Sequence, residues 1–216
     1  MLNRRLILLS PLALAASTGA RAEPTALTPP MIEGPFYPDA PVEFDNDLVR
    51  VRDAAAEAKG RVLRLSGQVW RAVAGRPQPL DGALVEIWQC DANQRYHHPG
   101  HWDGPPMDEG FQGYGRVTTG LDGRYAFRTI KPVPYDYPLW GHPVKRTPHI
   151  HFAVSVGGRR RLTTQMFVAG ESMNDTDFEL RRIRDPERRK SVVITLRDGD
   201  AIERGAVAGR FDLFVA

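Results

Sequence analysis

Residues 131–152 read KPVPYDYPLWGHPVKRTPHIHF, and they end in the pattern His149-Ile150-His151 before Phe152. The apolar residues that follow Phe152 predict that this end of the stretch is a β-strand. Side chains alternate between the two faces of a strand, so both histidines point to one face and Ile150 to the other. Two imidazoles close together on one face can bind a metal ion. They are also compatible with a half-polar sheet face, and the H-x-H pattern alone leaves both interpretations open.

The rest of the chain alternates short apolar runs with turns rich in Gly, Pro and Asp, which predicts many short strands. Runs of this kind include residues 83–88, 125–127 and 161–168. Short helices are predicted over residues 47–59 and after Asp185-Pro186-Glu187, where Asp is the N-cap and Pro lies in the first turn. We therefore expect an all-β fold, a β-sandwich of short strands with long connecting loops and one or two short helices.

The first 22 residues have the composition of an export signal. Asn3-Arg4-Arg5 is a charged start, residues 6–16 are mainly apolar, and Ala20-Arg21-Ala22 is a small-residue cleavage site. Paired arginines before an apolar run are typical of a twin-arginine signal. The run is shorter than the ~20 residues that a transmembrane helix needs. We expect cleavage after Ala22, a periplasmic location, no membrane span, and a single domain over residues 23–216.

Charge and cysteine content argue against a nucleic-acid-binding protein and against a disulfide-stabilised one. The chain has 29 Lys and Arg against 26 Asp and Glu, but three of the arginines lie in the signal, so the remainder is formally neutral. Nothing in it interleaves aromatic and basic residues in a nucleic-acid-binding pattern. Cys90 is the only cysteine, which excludes an intrachain disulfide. Because Cys90 follows a strand-like run, we expect it to be buried as a small apolar residue.

Oxygen donors accompany the two histidines. Tyr96 begins the cluster Tyr96-His97-His98, and Tyr135 and Tyr137 lie upstream of the H-x-H pattern. A phenolate is a hard donor with an unperturbed pKa of ~10, so only a strongly Lewis-acidic ion holds it deprotonated at neutral pH. Two phenolates with two imidazoles favour Fe(III) over Zn(II). Tyr135 and Tyr137 would point the same way in an extended segment, so their spacing does not choose between them.

Several phrases run in a fixed order through most of the chain after residue 22. They are EGPFY (33–37), DGALVEIWQ (81–89), DANQRY (91–96), FQGYGR (111–116), YAFRTIKP (125–132), RTPHIHF (146–152) and LTTQ (162–165). In these phrases and their order the chain resembles the intradiol ring-cleavage dioxygenases, of the protocatechuate 3,4-dioxygenase type. The RTPHIHF phrase is highly specific. Only a short segment precedes EGPFY, whereas catechol-cleaving members carry a long helical segment there.

The resemblance implies a non-haem Fe(III) dioxygenase that uses O2 to cleave a catechol-type aromatic diol between its two hydroxylated carbons. The product would be a muconate, and a protocatechuate-like ring is expected. The metal ligands it implies are Tyr96, Tyr135, His149 and His151. Tyr135 ends the phrase that matches the family's K-P-x-x-Y, so it would be the ligand that the substrate displaces. Arg146 and Gln165 would face the substrate. The resemblance also allows for assembly with further copies or with a related partner chain.

The alternative is a secreted transthyretin-like β-sandwich that binds a ligand without catalysis, since such a module can open with a phrase similar to DGALVEIW. A binding module needs neither the tyrosines nor the R-x-x-H-x-H pattern. The sequence leaves three roles open. His97 and His98 are expected at the rim of the site, where either hydrogen bonding or solvent exposure would suit them. Trp140 either lines the pocket for the aromatic substrate ring or packs against neighbouring side chains.

Overall fold

The computed structural model describes residues 27–39, 44–73, 76–101, 104–139 and 142–216. Within these ranges the chain forms thirteen strands, two short α-helices and one 3-10 turn. The strands are β1 (Val62–Val73), β2 (Arg76–Pro79), β3 (Leu84–Trp88), β4 (Tyr114–Thr118), β5 (Arg124–Ile130), β6 (Tyr135–Leu139), β7 (His142–Arg146), β8 (His149–Val156), β9 (Arg159–Val168), β10 (Val193–Ile194), β11 (Arg197–Asp198), β12 (Val207–Arg210) and β13 (Leu213–Val215). The helices are α1 (Phe178–Arg182) and α2 (Pro186–Lys190), and the 3-10 turn is Ser172–Asp175. The export signal predicted for residues 1–22 lies outside the described ranges.

Two sheets pack face to face and bury the main core between them. One sheet has the order β11-β12-β1-β13, with β2 and β5 also paired to β1, and the other has the order β10-β9-β8-β3-β4. Alternate residues of each central strand point inward, as the period of a strand requires. Leu63 and Leu65 of β1 and Ile150 and Phe152 of β8 belong to one buried apolar cluster. The predicted all-β sandwich is confirmed.

The outer face of the five-stranded sheet carries a second buried cluster. On β8, His149, His151 and Ala153 alternate with the residues that point into the main core. The cluster above them is aromatic and consists of Phe36, Trp88, Tyr96, Tyr114 and Tyr135 with Cys90 and Ala153. Cys90 is buried here as expected, and burial raises the pKa of its thiol, so it is an uncharged packing residue at neutral pH.

The helix expected over residues 47–59 is wrong. Leu48 and Val49 lie in this segment and are both buried. Their backbone groups bond to other parts of the chain: Leu48 N–H donates to the Arg128 carbonyl, and Gln112 N–H donates to the Leu48 carbonyl. A helix would keep these hydrogen bonds within the segment. The helix expected after Asp185 is confirmed as α2, whose first N–H groups donate to the Asp185 carboxylate.

The hairpin of β6 and β7 was not predicted as strands, because prolines interrupt the stretch and proline is depleted in strands. It forms a two-stranded sheet of its own, and its register places Tyr135 directly opposite Arg146. Trp140 lies outside the described residues, so its predicted role is not addressed by the structure. None of the helices in the described ranges is long and apolar enough to cross a membrane.

Candidate metal centre

The four predicted ligands come together from three segments of the chain. Tyr96 lies in the loop after β3, Tyr135 begins β6, and His149 and His151 lie on β8. All four side chains are buried, with exposed fractions of 2–3%. Their ring centroids are close neighbours, at 5.0 Å for Tyr96–Tyr135, 5.6 Å for Tyr135–His149, 4.8 Å for His149–His151 and 6.1 Å for Tyr96–His151. The four rings therefore surround one common centre.

The nitrogen donors fit a single metal ion at that centre. The Nε2 atoms of His149 and His151 are 3.2 Å apart. Two imidazole nitrogens bound to one ion at right angles, with bonds of about 2.1 Å, would lie about 3.0 Å apart. Nδ1 of His149 is 2.7 Å from the Thr147 carbonyl, to which it can donate, and this leaves its Nε2 as the lone-pair nitrogen. Without an ion, Nε2 of His151 can donate a hydrogen bond to Nε2 of His149, and an ion that binds both nitrogens would replace that hydrogen bond.

The oxygen donors fit as well. The Tyr96 hydroxyl is buried and makes no hydrogen bond of good geometry among the described residues, although the Tyr135 hydroxyl interacts with it. A poorly satisfied buried hydroxyl is costly unless something binds it. The described ranges contain no group of three or more His, Cys, Asp or Glu placed to hold a metal. The two imidazoles therefore need the tyrosines to complete a ligand set in this part of the chain, and phenolate oxygen suits Fe(III).

Burial sets the protonation states of the donors. It raises the pKa of the Tyr96 and Tyr135 phenols, although the positive charge of Arg146 opposes this rise for both. It lowers the pKa of both imidazoles, and Arg146 adds to that effect. The histidines are therefore neutral and ready to bind a metal, whereas the phenols ionise only when a strongly Lewis-acidic ion binds them.

Aromatic side chains enclose the donors. Phe36 stacks on Tyr96 with ring centroids 4.8 Å apart, and Trp88 stacks on His151 at the same distance. Gly34 has a φ of +77°, and a Cβ atom there would lie 3.3 Å from Cε1 of His151. The EGPFY phrase thus supplies both a ring that covers the site and a glycine that lets the backbone approach a ligand closely.

A family model described as Dioxygenase matches residues 32–215, a range that contains all four candidate ligands. A 6-chlorohydroxyquinol 1,2-dioxygenase of Cupriavidus pinatubonensis is 35% identical over 168 residues, which are 72% of this chain and 55% of that relative. The protocatechuate 3,4-dioxygenase beta chain of Burkholderia cepacia is 34% identical over 174 residues, 79% of this chain and 71% of the relative. The chain belongs to the intradiol ring-cleavage dioxygenase family.

The fold of a solved family structure agrees with this assignment. The catechol 1,2-dioxygenase from Acinetobacter sp. ADP1 superposes with a TM-score of 0.65 and 29% identity, over 88% of this chain and 62% of that chain. The present chain thus spans 55% of the first relative and 62% of this structure. Both of these proteins therefore extend beyond the region that this chain matches.

Arg146 and Gln165, which the family resemblance places towards the substrate, lie in one hydrogen-bonded group. Arg146 is buried and its Nη2 donates to Oε1 of Gln165 at 2.8 Å. Nε2 of Gln165 donates to the Ile32 carbonyl at 3.2 Å. The Gln165 amide is thus engaged on both sides, and it links Arg146 to the segment that leads into the EGPFY phrase. This arrangement supports a role in holding Arg146.

One residue of this intradiol dioxygenase site was missed by sequence reasoning. Asp177 is buried, and its carboxylate accepts hydrogen bonds from Nε and Nη2 of Arg146 at 2.7 and 3.3 Å. It also accepts from the backbone N–H groups of Thr147, Glu179 and Leu180. The available signal was an Asp directly before a short amphipathic run, which is typical of a helix N-cap. That signal identifies the cap but not the arginine.

Three further aromatic residues lie around the dioxygenase site without joining the four rings. Nε2 of His98 is 3.2 Å from Oδ2 of Asp39, and Nε2 of His97 is 3.5 Å from Oδ2 of Asp91. His98 therefore faces an exposed carboxylate, as a rim residue would, whereas His97 lies beside the buried Asp91 and against the Phe111 ring. The Tyr137 ring packs against Phe178, with centroids 6.2 Å apart.

Proposed function

We propose that this protein cleaves a catechol-type diol with O2 between its hydroxylated carbons, giving a muconate, with Fe(III) held by Tyr96, Tyr135, His149 and His151. The observation that carries the proposal is the convergence of two buried phenols and two buried imidazoles on one centre. When bound, Fe(III) would supply the Lewis acidity that ionises phenols and diols and the electron-accepting character that opens the diol to O2.

Tyr135 is the residue best suited to accept a proton from the substrate. A diol that binds as a dianion must lose two protons, and a phenolate oxygen at Tyr135 can take one of them. Burial raises the pKa of Tyr135, which makes its phenolate a strong base and its neutral form favourable. Within the described residues its strand, β6, pairs with β7 alone, whereas the histidines lie on β8, which is paired on both sides. Movement of Tyr135 would therefore disturb the sandwich less than movement of either histidine would.

Arg146 would stabilise negative charge as it develops on the ring. Burial disfavours a charged guanidinium, but the pairing with Asp177 raises the pKa of Arg146 above its usual range. A permanent positive charge thus lies beside the two phenols. Fixed charges in a site that excludes water stabilise a charged transition state more than solvent does. Phe36 and Trp88 exclude water from the same space.

The finer proposal is that the ring resembles protocatechuate. The alignment with the protocatechuate 3,4-dioxygenase beta chain spans 79% of this chain, which supports testing that ring first. Relatives named for chlorohydroxyquinol and catechol match at 35% and 29% identity, so hydroxyquinol and catechol belong in the same panel. We expect protocatechuate to show the highest kcat/KM of the three, and a wide preference for catechol would contradict this part of the proposal.

Iron content and O2 uptake test the proposal together. We expect about one iron per chain, a red-brown colour from phenolate-to-iron charge transfer, and O2 consumption with at least one diol of the panel. The double variant Tyr96→Phe, His149→Ala should lose both iron and colour. Tyr125→Phe is a matched control, because Tyr125 is a buried tyrosine that donates to the Phe211 carbonyl in the main core. A folded, colourless wild-type protein with one zinc per chain would contradict the proposal.

A further inference from the structure

Asp177 and the side chain of Arg146 form the most completely satisfied buried ion pair in the described part of the chain. The carboxylate accepts hydrogen bonds from Nε and Nη2 along one edge of the guanidinium, and Oε1 of Gln165 accepts a second hydrogen bond from Nη2. The Phe178 ring lies under the same group, with its centroid 4.8 Å from Cζ. A planar guanidinium held along one edge and over one face has no freedom to rotate.

The nitrogen left over is Nη1. Among the described residues no hydrogen bond is made by Nη1, whereas Nε and Nη2 are both engaged. Arg146 lies opposite Tyr135 in the β6–β7 register, next to the ligand that the substrate would displace. We propose that Asp177 is a positioning residue, which holds Arg146 by its Nε–Nη2 edge so that Nη1 is the donor offered to the reacting diol. This inference rests on the proposed ring cleavage.

A purely structural role for Asp177 is the competing explanation, since its carboxylate also caps α1. The chain contains a matched comparison in Asp185, which caps α2 through the same kind of hydrogen bonds, from Glu187 N–H and Arg188 N–H. Asp185 is exposed and forms no ion pair with an arginine in the described ranges. The contacts that distinguish the two caps are therefore those that Asp177 makes with Arg146 and with the backbone N–H of Thr147.

Kinetics of cap variants separate the two explanations. Asp177→Asn keeps an oxygen for the helix N–H groups but removes the charge that holds Arg146. We expect kcat to fall about 10- to 100-fold, with a much smaller change in KM, because misplacing a catalytic group lowers the reaction rate more than it lowers substrate affinity. Asp185→Asn should keep the wild-type kcat. Wild-type kcat in Asp177→Asn would overturn the proposal.

A double-mutant cycle with Arg146→Met tests whether the effect passes through Arg146. If Asp177 acts by positioning, Asp177→Asn should cause no further loss of kcat in the Arg146→Met background. An equal loss in both backgrounds would show a structural role and overturn the proposal. If Asp177→Asn alone does not fold, recovery of folding in the double variant supports the pairing, and no recovery overturns it.

A measurement without turnover separates failure of this inference from failure of the proposed function. In iron-free full-length protein labelled with 15N-arginine, the Nε–H resonance of Arg146 should exchange slowly with water, because it is buried and hydrogen-bonded. Asp177→Asn should lose that protection and Asp185→Asn should keep it. A wild-type protein that cleaves no diol but shows this pattern refutes the proposed function and leaves the pairing intact. Rapid exchange in the wild-type protein overturns the pairing itself.

Discussion

Tyr135 and Tyr137 are two residues apart on β6, yet they have different neighbours. The Tyr135 ring lies 5.0 Å from Tyr96 and 5.6 Å from His149, within the ligand set. The Tyr137 ring packs on Phe178 instead. These ring contacts favour Tyr135 as the ligand, as the family's K-P-x-x-Y phrase does, although the spacing of the two tyrosines gives no preference.

The first prediction follows from that difference. Tyr135→Phe should keep the fold and part of the iron, since three protein ligands remain, but it should shift the charge-transfer absorption. We expect kcat to fall about 100-fold or more, because the substrate loses a proton acceptor. Tyr137→Phe is the control and should change colour and kcat little. A spectrum that shifts in Tyr137→Phe and not in Tyr135→Phe would move the ligand assignment by two residues.

The second prediction concerns the pH dependence of the iron-free protein. Burial lowers the pKa of His149 and His151 well below the usual value of ~6.5, at which both would titrate when unfolded. Below that pH the unfolded chain binds more protons than the folded one. The free energy of unfolding should therefore fall as pH decreases below ~6.5, by up to about 1.4 kcal/mol per pH unit for each histidine.

Urea unfolding of iron-free protein between about pH 5 and pH 8 measures this slope. The variant with His149→Gln and His151→Gln should show a flatter dependence, because neither side chain then takes up a proton. Equal slopes in the two proteins would show that other groups control the acid sensitivity.

At the scale of single residues, the sequence singled out the four side chains that converge on the candidate centre but not the group that holds Arg146. Tyr96, Tyr135, His149 and His151 stand in phrases whose order resembles a known family, so each was assigned from sequence alone. Asp177 does not lie in such a phrase, and its hydrogen bonds to Arg146 depend on where α1 packs. Long-range pairing of this kind carries no local signal beyond the helix cap.

At the scale of elements, the sandwich strands follow from alternation, whereas three connecting segments do not. Residues 47–59 have a helix-like composition but satisfy their backbone on neighbouring strands. The β6–β7 hairpin forms despite its prolines, and α1 is too short to give a periodic signal. Residues 47–59 pack into the main core, whereas the hairpin and α1 lie beside the site. Two of the three segments that were not predicted from sequence therefore shape the site.

The third prediction concerns the EGPFY phrase. Gly34→Ala places a methyl group 3.3 Å from Cε1 of His151 at a φ of +77°. Gly170→Ala meets the same strain, at a φ of +82°, but nothing lies within 4 Å of its Cβ. Both variants should lose about 1 kcal/mol of unfolding free energy from the left-handed backbone. Only Gly34→Ala should also lower iron affinity, by about 10-fold or more, because it displaces a ligand ring.

Iron titration of the two variants, alongside their urea unfolding, gives the comparison. Equal iron affinity in Gly34→Ala and Gly170→Ala would show that the added methyl group at residue 34 does not displace the His151 ring. Equal loss of stability with unequal iron affinity is the expected pattern.

At the scale of the whole molecule, the ligand set exists only in the folded chain. Tyr96, Tyr135 and the two histidines of β8 come from a loop, a separate hairpin and a central strand, and the sandwich brings them together. An unfolded chain would hold an iron ion with at most the two neighbouring histidines. The proposed iron binding would therefore be coupled to folding, because an ion that binds only the folded state stabilises it.

That coupling argues for export after folding, which is our fourth prediction. We propose that the paired arginines Arg4 and Arg5 direct the folded, iron-loaded protein through the twin-arginine route, with cleavage after Ala22. Changing both arginines to lysine keeps the positive charge that ordinary secretion reads but removes the arginine pair. The precursor should then accumulate in the cytoplasm, coloured and uncleaved, while Arg21→Lys, which leaves the pair intact, serves as the charge-matched control. Fractionation followed by iron analysis of each compartment measures the outcome. Normal export of the double variant would instead favour transport of an unfolded chain, with iron bound only after the sandwich has formed outside.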